Sequence, residues 1–143
     1  MTQSPTVQLE AEPIFKMEAV MASARMIPGG PFGDMVAIDV SGGKFHGPRV
    51  SGKVMPSGGD WVSVFPQGAR VNVRLLLETD DGVPLLLEYR GVAPVRDGKQ
   101  RSEVGGLITA PADSKYAWLN HVHLVGFGGG ADGVAHYDFY QLL

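Results

Sequence analysis

The chain contains no cysteine. That excludes disulfides, thiolate nucleophiles and cysteine-based zinc or iron–sulfur sites. It also lacks any apolar run near the ~20 residues that span a bilayer as a helix. Its opening stretch, MTQSPTVQLEAEP, has neither the basic start nor the apolar run of a signal peptide. Positive charge is not in excess: 12 Lys and Arg stand against 15 Asp and Glu, a net charge of −3. The nearest approach to a basic cluster, Arg96-Asp97-Gly98-Lys99-Gln100-Arg101, is interrupted by turn residues and reads as a solvated loop. These absences argue against nucleic-acid and membrane partners. They make a soluble cytoplasmic protein the expectation.

The 143 residues fit one domain. Apolar residues at 44% and charged residues at 19% place it among globular chains. The 20 glycines and 10 prolines are spread as punctuation between short apolar runs, the pattern of an all-β sandwich or barrel. We expect a flexible N-terminus over 1–12 and a single β-domain over 13–143. The segment after Pro13 reads as a strand, although its Met, Ala, Glu and Lys also suit a helix. Pro56-Ser57-Gly58-Gly59 and Ser41-Gly42-Gly43 read as turns. Asp60 to Phe65 reads as a strand with Trp61, Ser63 and Phe65 on one face and Asp60, Val62 and Val64 on the other. YAWLNHVHLVG, from Tyr116 to Gly126, reads as a strong strand.

The stretch Ala69 to Gly91 is the clearest hairpin. An Asp81-Gly82 loop between β-prone arms predicts a two-residue turn. It would set Leu76 opposite Leu87 and Arg74 opposite Tyr89. Neither face would then be purely polar, which suits a barrel wall with a lined interior.

Several motifs carry chemistry, each beside a plainer reading. GFGGGADG, from Gly126 to Gly133, follows a strand but precedes no helix, so it is a hairpin loop rather than a phosphate cradle. His121 and His123, two apart on a strand, would face the same way and could chelate a metal ion. The plainer reading is a pair of rim or outer-wall histidines, since no acid follows to complete a set. Trp118 and Asn120 on the opposite face make a pocket lining, or else a core tryptophan and a capping amide. Asp60 could be a general base if its neighbours desolvate it, or a turn residue. Arg74 opposite Tyr89 would stabilise an enolate-like charge while the tyrosine relays a proton, or else Arg74 forms a wall ion pair with Glu78 or Asp60. No GxSxG elbow supports serine catalysis.

Whole runs of this sequence, SGGKFHGPRVSGKVMPSGGDWVSV, LETDDG and YAWLNHVHLVGFG, resemble the bacterial and fungal family catalogued as domain of unknown function 3237. The family pattern GG-x-F-x-GP-x-x-x-G-x-x-x-P-G-G-x-DW is matched here at Phe45, Pro48, Asp60 and Trp61, among others. T-x-DG is matched at Thr79, Asp81 and Gly82, and Y-x-WLN at Tyr116, Trp118, Leu119 and Asn120. The resemblance implies a closed antiparallel β-barrel with a central cavity, lipocalin-like in architecture. It also implies cofactor-free chemistry on small molecules, such as ring closure by oxygen addition. Carried over by position, it makes Asp60, Trp61, Trp118 and Asn120 pocket candidates. Position 72, often acidic in the family, is Asn72, and the His121/His123 pair lies outside the family pattern.

The combined expectation is an all-β closed antiparallel barrel of about nine or ten strands. It would be a cofactor-independent lyase, isomerase or cyclase acting on a small cyclic or aromatic molecule, with no cofactor. Asp60, Arg74 and Tyr89 would be catalytic. Trp61, Asn72, Trp118 and Asn120 would bind the substrate. A non-catalytic binding barrel is the first alternative, and a metal-dependent barrel using His121 and His123 the second. The apolar outer hairpin face makes a homodimer plausible.

Overall fold

The computed structural model describes residues 3–143. Residues 3–10 carry no regular structure there, and β1 (Ala11–Gly30) starts slightly before Pro13. It is followed by β2 (Gly33–His46), β3 (Ser51–Phe65), β4 (Gly68–Thr79), β5 (Pro84–Arg96), the two-residue β6 (Lys99–Gln100), β7 (Ser102–Thr109), β8 (Leu124–Ala131) and β9 (Val134–Leu142). Each wall strand pairs antiparallel with its neighbour in the chain, β9 returns to β1, and β4 pairs with β5. Eight strands thus close an up-and-down barrel, with β6 hanging on β5 outside the ring. Closure leaves no free sheet edge around the ring.

The strands are longer than their glycine and proline content suggests. Ser41-Gly42-Gly43 and Pro56-Ser57-Gly58-Gly59 are bulges within β2 and β3, not turns. Gly58 shows why. Its φ is +87°, and a Cβ there would collide with the Arg74 carbonyl of β4. Glycine lets the strand kink while its neighbour stays in contact.

The Ala69–Gly91 hairpin forms, but its register is one residue off the expected one. Arg74 pairs with Glu88, and Tyr89 with Val73. A type I′ turn needs positive φ at both central residues. Gly82 has it (+84°) but Asp81 does not. Instead Thr79 closes a longer loop. Its N–H donates to the Val83 carbonyl (2.9 Å), and its Oγ1 accepts from the Val83 N–H (2.8 Å) while donating to Asp81 Oδ1 (2.7 Å). A slip of one residue exchanges the faces of one arm. The inner face is therefore apolar: Val71, Val73, Leu75, Leu77, Leu85, Leu87 and Tyr89 are all buried. Asn72, Arg74, Leu76 and Arg90 face outward.

The barrel is solid at one end and hollow at the other. The solid end is filled by Phe15, Phe45, Leu77, Leu85, Phe139 and others in one buried cluster. Phe15 packs on Phe45 and Phe139 at centroid distances of 5.2 and 5.4 Å. A plug closes this end. The segment read as a strand from Tyr116 is instead a 3-10 turn over Ala117–His121, and β8 starts only at Leu124. Leu119 of that turn is fully buried.

Asp81 ties the plug to the β4–β5 loop. It accepts from the Tyr116 hydroxyl (2.6 Å) and from Thr79, and its other oxygen lies 3.3 Å from Lys115 Nζ. The Tyr116 and Thr79 bonds, aided by Lys115, hold its carboxyl down at about 2, against an ordinary 3.8. A depressed carboxyl stabilises the fold above pH 3.8, and that contribution is lost as pH falls through about 2. Asp81→Asn is therefore expected to melt earlier than the parent at pH 5, with the gap closing by pH 2. Melting curves across that range check this; a gap independent of pH would contradict it. Because Asp81 is exposed, added salt should narrow the gap at pH 5.

One side of the open end rises above the rest. β9 pairs with β1 only as far as Val20↔Val134, whereas β1 and β2 continue together from Ser23↔Asp39 to Ile27↔Met35. Beside them, Asp34 to Asp39 of β2 pair with Gly59 to Val64 of β3. Met26, Ile27, Phe32 and Val64 on this arm are exposed.

Candidate functional site

The hollow half of the barrel encloses a cavity of about 340 Å³. All eight wall strands line it, through residues such as Met21, Ile38, Val62, Val71, Ala93, Gly129 and Ala135. Most of the lining is aliphatic or glycine. Against it stand Asp60 of β3, Tyr89 of β5, Ser102 of β7 and Tyr137 of β9, with Gln100 alongside.

Asp60 faces inward because β3 alternates after its glycine bulge: Asp60 and Val62 line the cavity, and Trp61 between them does not. The β3–β4 ladder pairs Asp60 with Val73 and resumes at Ser63↔Arg70. In the gap, the Asn72 N–H donates to Asp60 Oδ1 at 3.0 Å. Burial among apolar groups pushes the Asp60 carboxyl up to about 6, and the Asn72 N–H only partly opposes this.

Tyr89 and Tyr137 lie side by side, ring centroids 5.0 Å apart. Phe139 forms the floor under both. It meets Tyr89 edge-on at 5.2 Å and stacks on Tyr137 at 5.6 Å. The Tyr89 and Tyr137 hydroxyls are near enough to influence each other's ionisation, as Ser102, 5% exposed, does that of Tyr137. Burial first, then the neighbouring Tyr137 and Asp60, raises the Tyr89 hydroxyl well above its ordinary 10. Burial and Asp60 also raise Tyr137, although Ser102 opposes this. Both phenols therefore stay protonated donors near neutral pH. Gly106 of β7 backs Tyr89: a Cβ there would come within 2.8 Å of the Tyr89 Cβ.

Of the residues singled out from sequence, the structure brings Asp60 and Tyr89 together in the cavity. It places the others elsewhere. Arg74 is on the outer wall, 3.4 Å from Glu88, because the hairpin register differs. Trp61 is 60% exposed and points out, as strand alternation next to an inward Asp60 requires. The Asn72 side chain is also outside, and its contribution to the site is its backbone N–H. Trp118 sits in the plug with the Arg49 guanidinium 3.7 Å above its ring. Asn120 clamps the Ala110 backbone, accepting from its N–H (2.8 Å) and donating to its carbonyl (3.0 Å). It is the capping amide of the plainer reading.

His121 ends the 3-10 turn and His123 follows in an irregular link, so strand alternation does not align them. His123 lies in an outer-wall groove with Arg74, Glu88 and Leu107. Among the described residues no three His, Asp or Glu side chains come together as a metal site. A wider outer groove of about 640 Å³ runs past Lys16, Glu18, Lys44, His136 and Asp138. Its charges pair with one another at 3.8–3.9 Å, as expected of a solvated wall.

Tyr137 and Ser102 were missed from sequence. The signal for Tyr137 was present: in VAHYDFYQLL, alternation sets Ala135, Tyr137 and Phe139 on one face, the inner one. Ser102 begins a strand after an irregular loop, and nothing local marks it.

Such a fold defines a hollow, closed antiparallel β-barrel with a sparsely polar interior. The chain belongs to the family described as Protein of unknown function (DUF3237), whose model matches residues 9–142. No curated protein matches it. Among solved structures it is similar to a beta-barrel like protein from Acinetobacter baumannii AYE, at 24% identity and TM-score 0.88, covering 99% of this chain and all of that one. A conserved protein of unknown function from Rhodopseudomonas palustris matches at 23% identity and TM-score 0.86, covering 96% and 100%. An enzyme from Penicillium herquei matches at 19% identity and TM-score 0.78, covering 99% and 100%. At these identities the likeness establishes the fold. Among the described residues no helix is long and apolar enough to cross a membrane.

Proposed function

We propose that this barrel is a cofactor-independent acid–base enzyme for a small cyclic molecule held in the 340 Å³ cavity. The observation that carries the reading is a single carboxyl, Asp60, set in an apolar hollow that also holds two buried phenols, Tyr89 and Tyr137. The cavity lies in the usual range for small-ligand sites, about 300–1,000 Å³. A hollow of ~150 Å³ accommodates one benzene ring, so this one has room for a ligand of about two rings.

In this reading Asp60 is the general base. A carboxyl titrating near 6 is mostly ionised at pH 7, yet more basic than an exposed aspartate. It takes a proton from a substrate O–H or activated C–H. The negative charge that develops moves toward a carbonyl oxygen, where Tyr89 and Tyr137 donate hydrogen bonds. Raised phenol pKa values suit donors that must not themselves ionise. Proton removal followed by bond formation or cleavage within one molecule gives a lyase, isomerase or cyclase. The enzyme from Penicillium herquei shares the architecture and supports the class only at that level. Asp60 favours chemistry over simple storage because a carboxyl that opposes folding stands beside two phenolic donors, as a base and its oxyanion donors would.

The test is a mass-spectrometric turnover screen with neutral cyclic enones and hydroxy-ketones. The parent should convert at least one. Asp60→Asn should then lose about 10²–10⁴ in rate, and Tyr89→Phe should lose less while still binding substrate. Equal turnover by parent and Asp60→Asn would remove the base assignment. Binding with no conversion across the panel would favour the non-catalytic barrel.

A further inference from the structure

The cavity lining is one-sided in charge. Among the described residues it contains a carboxylate and two phenols but no Lys, Arg or His. The nearby cations on the same strands, Arg70, Arg74 and Arg90, face outward. Arg74 is paired with Glu88. Asp60 makes a hydrogen bond through Oδ1 to the Asn72 N–H, and among the described residues no protein hydrogen bond engages Oδ2.

A second anion brought into this space would meet the Asp60 charge across an apolar medium without a compensating cation. In such surroundings like charges a few ångströms apart repel far more than in water. The incoming anion would also lose its hydration, which the two phenolic donors replace only in part. A neutral ligand with an O–H incurs neither penalty. It can donate to the unengaged Asp60 oxygen and accept from a tyrosine.

From these placements we infer that the cavity selects uncharged hydroxylated ring compounds and rejects carboxylates of the same shape. The inference rests on the cavity being the ligand site, but not on Asp60 acting as a base. It deepens the functional reading by fixing the charge class of the substrate. Asp60 is then the specificity-determining residue by repulsion, the element that discriminates against wrong ligands.

The experiment compares two probes on the same two-ring frame, 2-naphthol and 2-naphthoate, by protein-observed NMR and calorimetry at pH 8. The parent and Asp60→Asn are both used. The parent should bind 2-naphthol at least ten times more tightly than 2-naphthoate. Asp60→Asn should close most of that gap, chiefly by gaining affinity for naphthoate. Binding should shift the resonances of Ala93 and Ala135 on the cavity wall. Equal affinity of the parent for both probes overturns the charge rule while leaving the cavity as a ligand site. A preference unchanged in Asp60→Asn shows that another group sets it, and also overturns the proposal. Binding of neither probe to either protein overturns the cavity as a site for two-ring ligands, and the charge rule with it. None of these outcomes depends on turnover, so a failed catalytic screen leaves the comparison intact.

Discussion

Asp60→Asn is expected to make the protein more stable at pH 8 while removing its proposed base. The folded carboxyl titrates at about 6, and the ordinary value is 3.8. A carboxyl raised on folding leaves stability intact below the unfolded value and erodes it as pH climbs through the folded one. Between about pH 4 and pH 6 the parent therefore loses stability, and above pH 6 the loss is complete. The difference in pKa corresponds to about 3 kcal/mol as an upper figure. Asparagine stays neutral throughout and keeps a carbonyl to accept the Asn72 N–H. Urea unfolding of both proteins at pH 4 and pH 8 checks the sign. Near-equal midpoints at pH 4 and a higher midpoint for the variant at pH 8 are expected. A variant less stable than the parent at pH 8 would mean that Asp60 is satisfied in its pocket, and the base reading would lose its physical footing.

Phe139→Ala should have the largest effect on folding. Phe139 is 1% exposed and packs on Phe15, Tyr89 and Tyr137. Truncating a buried phenylalanine typically costs about 3–5 kcal/mol, a large share of the ~5–15 kcal/mol that holds a domain together. The same change removes the floor beneath both phenols, so a folded remnant should bind two-ring ligands poorly. Phe139→Leu keeps most of the volume and should cost less, roughly 1–2 kcal/mol. Denaturant midpoints of the two variants rank these costs. If alanine and leucine proved equally mild, the solid half would be less tightly packed than the aromatic distances indicate.

The all-β class was legible in the glycine and proline punctuation and the closed barrel in the family resemblance, whereas nothing local said which face of the Asp60–Phe65 strand is inward. Strand alternation across Asp60–Phe65 separates Asp60 from Trp61 correctly. Selecting both for the pocket went against that same alternation. The hairpin misled for a subtler reason. Asp81-Gly82 has the composition of a tight turn, but the Thr79 hydroxyl replaces a backbone partner and lengthens the loop. That single residue moves Arg74 from the inner face to the outer. YAWLN misled because a short apolar run with period two suits a strand and a 3-10 plug equally. Only its contacts, Tyr116 with Asp81 and Asn120 with Ala110, distinguish them. Those contacts show that the T-x-DG and Y-x-WLN motifs stitch the closed end of the barrel. The DW motif is the one that reaches the cavity.

The uneven rim leaves one flank of the cavity mouth lower than the other. From Met21 to Ile27 the β1–β2 arm stands past the last β9 pairing, an overhang of about 20 Å at ~3.3 Å per residue. A molecule entering the proposed site would be screened on that flank and would find the low side, over the short β7, β8 and β9 strands, more open. Residues added to or removed from the awning's tip around Phe32 would reshape the doorway without breaking one hydrogen bond of the closed ring. The mouth and the cavity lining can therefore change independently.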